Sequence, residues 1–431
     1  MSSPPAVVRT PDAMVRRSVL PNGLRIVSEQ MPGVASLTLG LWVESGSRFE
    51  SPHLGGISHF LEHLLFKGTE RRSAAQIAEE IDAVGGVLNA FTGKEYTCYY
   101  ARVLAEHTGI ATDLLADLFL HSRLDGEEID RERSVVLQEI LQSEDTPDDH
   151  IHDLFNLHYW AAHPLSFPVH GTSASVRALT RSHFVDFLAA RYRPDRLIIA
   201  AAGDVEHAAL VEWAERAFGH LRGSAALTAG PPPTVQGGVF VTEKSLEQVH
   251  LCVGFPSLSQ SAEERYALYV LNTALGGGMS SRLFQEIREQ RGHAYAVYSF
   301  LSSYRDAGYL GIYVGTAAEW VEEVLAVIAG ELSALAREGL RPAELARAKT
   351  QLKGNLLLGL ETSDSRMSRV AKNEIYFQRD FPLGEVAARI DATTNDEVIA
   401  VVTRLARPDD RAVALLGNLD GRHIARSSLA A

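Results

Sequence analysis

Two cysteines in 431 residues, Cys98 and Cys252, cannot build a disulfide framework and suit a reducing compartment. No stretch approaches the ~20 consecutive apolar residues that cross a bilayer. The N-terminal MSSPPAVVRTPDAMVRRS carries no apolar run behind its basic residues, so a secretory signal is not expected there. Positive charge is in deficit, with 41 Lys and Arg against 54 Asp and Glu and a net charge of −13, which argues against a nucleic-acid partner. What is present is a chain that is 46% hydrophobic and long enough for two or three domains with developed cores. The simplest expectation is a cytoplasmic, globular protein with no membrane partner.

The most specific local signal is His59-Phe60-Leu61-Glu62-His63, an H-x-x-E-H string that reverses the H-E-x-x-H zinc motif. Histidines four apart on a helix project from one face, and two neutral imidazoles so placed can hold one zinc ion. Glu62, between them, stands beside that metal and can take a proton from water. Apolar residues at Ile57, Phe60, Leu61, Leu64 and Leu65 give the segment a helical period. Ser51 and Pro52 read as N-cap and first helical position, Gly55 and Gly56 weaken that first turn, and Lys67-Gly68 reads as the stop. A helix that carries two histidines by chance is the alternative. Catalytic zinc needs a third protein ligand and an open position. Residues 125–142 read as an acidic helix with Ile129, Val136 and Ile140 on its buried side. Glu139 lies on it, 76 positions after His63, and Glu132 sits two turns earlier on roughly the same face. The acidic residues continue to Asp153. They form either a solvated surface or a negative wall that attracts basic peptides.

The chain also repeats itself. Arg193-Pro194-Asp195 precedes an apolar strand with Gly203, and Arg407-Pro408-Asp409 precedes another with Gly417, both at an offset of 214; Glu128 and Glu344 match at 216. The Pro-rich stretch 222–238 between the copies reads as a linker. This divides the chain into an N-terminal extension 1–14, a zinc-binding domain 15–221, the linker, and a second domain 239–431 without the motif. The region matching the zinc helix, 262–282, has no histidine, and Asn355 stands where the offset of 216 places the partner of Glu139. One zinc per chain is therefore expected. Each half reads as α+β. Strands are expected at 24–32, 36–47 and over 87–103, and Ser73 to Gln76 reads as a capping box opening a helix. Five histidines between His150 and His170 offer at best one loose pair and no convincing metal spacing.

The stretches GGISHFLEHLLFKGT, VGGVLNAFTGKEYTCYY and ERSVVLQEI resemble the pitrilysin/insulinase family (M16) of inverted zincins, and within it the mitochondrial-processing-peptidase-like branch. The resemblance spans about residues 15–420. It implies two homologous domains, each a roughly six-stranded, mainly antiparallel sheet packed with helices. It makes His59, His63 and Glu139 the zinc ligands, Glu62 the general base and Glu132 a second acidic residue supporting the site. It implies that peptide substrates lie extended along Asn89, Ala90, Phe91 and Thr92, and that Arg288 and Tyr295, seven apart in the second half, help to hold them. The implied activity is a zinc metalloendopeptidase acting on short unfolded peptides or presequence-like segments, basic ones by the charge argument. A chain supplying both residue sets is expected to form a homodimer. The other function class is a non-catalytic scaffold or partner subunit of the same fold; such chains usually lose part of the zinc set, which is complete here.

Overall fold

A computed structural model describes residues 15–223, 230–405 and 410–424. The extension 1–14, part of the 222–238 linker and the triplet Arg407-Pro408-Asp409 lie outside them. The described residues fall into two compact units that do not follow the chain linearly. The first holds those of Met1–Ile140, Pro168–Ala229 and Leu358–Val386; the second holds those of Leu141–Phe167, Gly230–Leu357 and Ala387–Ala431.

The first unit is built on a six-stranded sheet of β1 (Val15–Val19), β2 (Arg25–Gln30), β3 (Ser36–Val43), β4 (Val87–Thr92), β5 (Thr97–Leu104) and β6 (Leu197–Gly203). Their spatial order is β1-β2-β6-β3-β5-β4, antiparallel except for the β2/β6 pair. The expected single strand over 87–103 is instead a hairpin, because the chain turns at Gly93 to Tyr96, where Gly93 N–H bonds Tyr96 O at 2.8 Å. Strand periodicity sorts the side chains onto two faces. Leu197, Ile199 and Ala201 of β6 join Leu37, Leu39 and Leu41 of β3 in one core with helix α1 (Ile57–Leu65), while Ile198, Ala200 and Ala202 join Trp42 on the other face. The second face is covered by the helix Ser363–Phe377, through Met367, Val370, Ala371 and Ile375. Gly40 permits that close approach: a Cβ there would lie 2.8 Å from Met367 Sδ. Buried Glu29 of β2 binds Arg366 and Arg369 of the same helix.

The second unit carries β7 (Gly238–Glu243), β8 (Val249–Pro256), β9 (Ala294–Ser303), β10 (Gly308–Thr316) and β11 (Ala412–Gly417), in the order β7-β11-β8-β10-β9. Again one pair, β7/β11, is parallel and the rest antiparallel. Its sheet is covered by the helix Pro147–Tyr159, whose Ile151, Phe155 and Tyr159 pack against Cys252, Tyr309 and Ala414. Each sheet is thus covered by a helix from a distant part of the sequence. The repeat shows in detail: Gly203 and Gly417 end matching strands with φ of +123° and +148°, a region that favours glycine. Among the described residues the second sheet has five strands to the first sheet's six, in line with the expected roughly six-stranded sheets. No described helix is long and apolar enough to cross a membrane.

Candidate metal centre and catalytic site

Helix α1 begins later than Ser51-Pro52 suggests. Pro52–Leu54 is only a 3₁₀ turn, and the helix starts at Ile57 behind Gly56, whose φ is +90°. The cap is Glu50: its carboxylate accepts the backbone N–H groups of Gly56 at 2.7 Å and Ser58 at 2.8 Å. A carboxylate there satisfies orphan donors and complements the helix dipole. The last turn tightens, with Phe66 N–H bonding His63 O at 3.2 Å, so the helix ends at Leu65 and Gly68 turns the chain with φ +118°. Ile57, Phe60, Leu61, Leu64 and Leu65 are buried, which leaves His59, Glu62 and His63 along the remaining face.

Helix α2 (Ala74–Asp82) opens on the capping box at Ser73 and Gln76. Helix α3 (Thr108–His121) packs on β5. Helix α4 (Gly126–Asp145), whose residues to Ile140 belong to the first unit, buries Ile129, Glu132, Val136 and Ile140 in one stripe. Arg133 fixes α4 beside α1. Its guanidinium lies 5.6 Å from the centre of the Phe60 ring and donates to Val176 O at 2.5 Å.

This packing brings Glu139 to the two histidines. Its Oε2 is 3.7 Å from His59 Nε2 and 3.5 Å from His63 Nε2. Among the described residues these three make the only group of His, Cys, Asp and Glu able to hold a metal, their ligand atoms lying within 4.8 Å of one another. Glu139 Oε2 and His59 Nδ1 are buried without a hydrogen-bond partner among the described residues. The orphaned Glu139 Oε2, facing Nε2 of both histidines in a two-His, one-carboxylate set, fits a zinc ion. Burial, with His63 and His170 nearby, pushes the His59 imidazole down to about 3, so it is neutral and its lone pair is available. Glu132 Oε2 stands 3.2 Å from His63 Nδ1. A carboxylate accepts, so Nδ1 carries the hydrogen and Nε2 offers its lone pair.

Glu62 accepts a 2.5 Å hydrogen bond at Oε2 from Thr92 Oγ1 and none at Oε1 among the described residues. Burial pushes its carboxyl above the usual range; the Thr92 hydroxyl and His63 pull it down and Glu139 raises it. Among the described residues strand β4, carrying Asn89 to Thr92, lies at the edge of the sheet and pairs only with β5. Its side chains have separate duties. Thr92 faces Glu62, Ala90 packs on the α1 side, and Phe91 meets Trp42 edge-on at 5.3 Å. Asn89 is exposed and accepts from Ala90 N–H. What β4 offers a ligand is therefore mainly its free backbone edge.

Arg288 and Tyr295 lie in the second unit. Arg288 sits on a π-helical turn, Phe284–Gln290, with its guanidinium 4.8 Å from the Phe284 ring centre and 4.7 Å from that of Tyr295. Tyr295, on edge strand β9, is 78% exposed, so the pair is assembled and open. The histidines between 150 and 170 have other roles. His152 bonds the Tyr298 hydroxyl, His158 stacks on Phe240 at 4.4 Å, and His163 caps a turn by accepting from Leu165 N–H. Sequence reasoning missed Glu50 and Lys67, whose ammonium lies 2.7 Å from Glu132 Oε1. An acid seven residues before the helix it caps leaves no short-range pattern, and a lysine after a helix reads as a stop signal.

Residues 25–173 match the model of the insulinase family, peptidase family M16, and residues 178–352 match that of the peptidase M16 inactive domain. The chain is 42% identical to an uncharacterized zinc protease of Bacillus subtilis, covering 94% of this chain and 98% of that protein. It is 46% identical to one of Streptomyces coelicolor, covering 90% and 86%. The fold is shared with a protease from Helicobacter pylori at a TM-score of 0.86 and 22% identity, over 94% of this chain and all of that one. A peptidase M16 inactive domain from Pseudomonas fluorescens matches at the same TM-score and 19% identity. With both family models in sequence and close relatives matched over nearly their whole length, this chain belongs to peptidase family M16, the insulinase family.

Proposed function

We propose that this protein is a zinc-dependent endopeptidase of the processing-peptidase-like branch, cleaving short unfolded peptides or presequence-like segments. The observation that carries the reading is the convergence of His59, His63 and Glu139 beside a Glu62 held by the edge strand. His59, His63 and Glu139 would hold one zinc per chain. A zinc ion so bound supplies Lewis acidity, lowering the pKa of coordinated water and polarising a carbonyl. Glu62 takes the proton of the attacking water at Oε1 and delivers it to the leaving amine nitrogen. Substrate adds as a strand to the free edge of β4, main chain to main chain, which suits extended peptides and excludes folded ones. Arg288 and Tyr295 are the proposed second substrate-holding set. We further propose a cytoplasmic homodimer, with 222–238 joining the two halves of the sequence repeat.

Basic peptides are the proposed preferred class, although Arg131 pairs with Glu127 and Glu128 and Arg133 with Asp130, which neutralises part of α4. The test is Glu62→Gln. It should bind one zinc and keep its fold while losing turnover of unstructured peptides. Glu62→Gln cleaving at the wild-type rate would refute the assignment of the base. No zinc in protein purified without chelator would favour the non-catalytic scaffold.

A further inference from the structure

Lys67 lies two residues beyond the end of α1, where the chain is about to turn at Gly68. Its ammonium is 2.7 Å from Glu132 Oε1, while the other oxygen of that carboxylate faces His63 Nδ1 at 3.2 Å. We propose that Lys67 is a positioning residue for the metal site, acting through Glu132 on the orientation of His63.

The argument starts from Glu132. It occupies an apolar stripe, between Ile129 and Val136, and its side chain is only 9% exposed. A carboxylate in that place needs partners at both oxygens. His63 supplies one and Lys67 the other. The two bonds together fix the rotation of the carboxylate plane, so that one oxygen points steadily at Nδ1. That fixes the plane of the imidazole and directs the Nε2 lone pair toward Glu139 Oε2, 3.5 Å away. An outer carboxylate bonded only to the histidine keeps a free rotation; one held at both ends does not. Lys67 itself is one-third exposed, so solvent screens the ion pair and its loss should cost fold stability only in part. Its distinguishing effect should therefore appear in metal affinity, beyond any cost in melting. A helix-terminal lysine ordinarily serves the last carbonyls; here the ammonium reaches across to α4 instead.

The inference rests on reading His59, His63 and Glu139 as zinc ligands, and the experiment separates the two. Zinc-free wild type, Lys67→Met, Lys67→Arg, Glu132→Gln and Lys67→Met/Glu132→Gln are titrated with zinc in competition with a chromogenic chelator. Wild type should bind one zinc. Lys67→Met should bind it about tenfold more weakly, the lower end of what lost outer partners cost. Lys67→Arg, which keeps a donor at Oε1, should bind like wild type. In the Glu132→Gln background the methionine should cause no further loss. Any loss of zinc-free melting in Lys67→Met should be restored by Lys67→Arg. Equal affinity of wild type and Lys67→Met overturns the proposal. So does a methionine effect that persists undiminished without Glu132, or a drop in zinc-free melting that Lys67→Arg does not rescue. Should Lys67→Met fold poorly, Lys67→Gln takes its place in the same comparison. A wild type that binds no zinc fails at the earlier step and overturns the metal assignment itself.

Discussion

Thr92 Oγ1 donates to Glu62 Oε2 at 2.5 Å, so the last residue of the edge strand holds the proposed general base on α1. A peptide added to β4, as proposed, would dock on the same strand that sets the carboxylate. The hydroxyl lowers the Glu62 pKa against a burial that raises it. Thr92→Val keeps the shape and removes the donor, so the Glu62 pKa should rise. The base must be ionised to act, and the acidic limb of the kcat/KM profile should move to higher pH. At a fixed pH below that limb the rate should fall by about tenfold for each unit the limb moves. Zinc content should not change, and Thr92→Ser should restore the wild-type profile. An unshifted profile in Thr92→Val would mean that the bond does not tune the base.

His59 gives a second prediction, for the zinc-free protein. Its folded pKa is about 3 and its unfolded value about 6.5, because burial disfavours the cation. Between those values the unfolded chain binds a proton that the folded one does not, so stability falls as pH drops from about 6.5 toward 3. Zinc-free wild type should lose on the order of 1–2 kcal/mol between pH 7 and pH 5 from this group. Urea midpoints measure it. His59→Asn cannot titrate, and its midpoint should fall less over the same interval. Parallel midpoints in the two proteins would show that His59 is not held neutral by the fold.

These sites differ in how far the sequence disclosed them. The helix carrying His59, Glu62 and His63, the capping box at Ser73 and the matched glycines Gly203 and Gly417 were legible because each is a short-range signal, a period or a fixed offset. The true start of α1 was not, since its cap, Glu50, reaches over an intervening turn and a serine-proline pair looked locally better. The hairpin within 87–103 was hidden because Gly93 alone does not outweigh aromatic and β-branched residues on both sides. The π-helical turn under Arg288 has the same apolar spacing as an α-helix over so few residues. Least legible was the covering of each sheet by a helix remote in sequence, since hydrophobic periodicity shows that a helix has a buried face and not what buries it.

That last feature makes a prediction about fragments. Without the helix Ser363–Phe377, the first unit would expose Trp42, Ile198, Ala200 and Ala202 and leave buried Glu29 without Arg366 and Arg369. An unpaired buried carboxylate and an open apolar face are each enough to prevent stable folding. Residues 15–221 produced alone should therefore be insoluble or molten, although they contain the complete zinc set. Within the full chain, Trp42→Ala should cost about 3–5 kcal/mol in unfolding free energy. A soluble 15–221 fragment with a sharp thermal transition would show that the remote helix is dispensable.

The final prediction concerns assembly, where the family resemblance supplies the expectation and the chain supplies both parts. His59, Glu62, His63 and Glu139 stand in the first unit; Arg288 and Tyr295 are stacked and exposed in the second. We propose that in a homodimer the Arg288/Tyr295 pair of one chain serves the zinc of its partner. Glu62→Gln and the double variant Arg288→Ala/Tyr295→Ala should each be weak alone. When mixed and allowed to exchange subunits, half of the sites in a mixed dimer combine an intact base with an intact Arg/Tyr pair, and the other half lack both. Sharing therefore restores up to half of the wild-type activity per mixed dimer, whereas a pair acting within its own chain restores none. Exchange is verified independently by energy transfer between labelled chains. With exchange verified, activity at the sum of the two variants would reject the shared site and leave the Arg288/Tyr295 pair to its own chain.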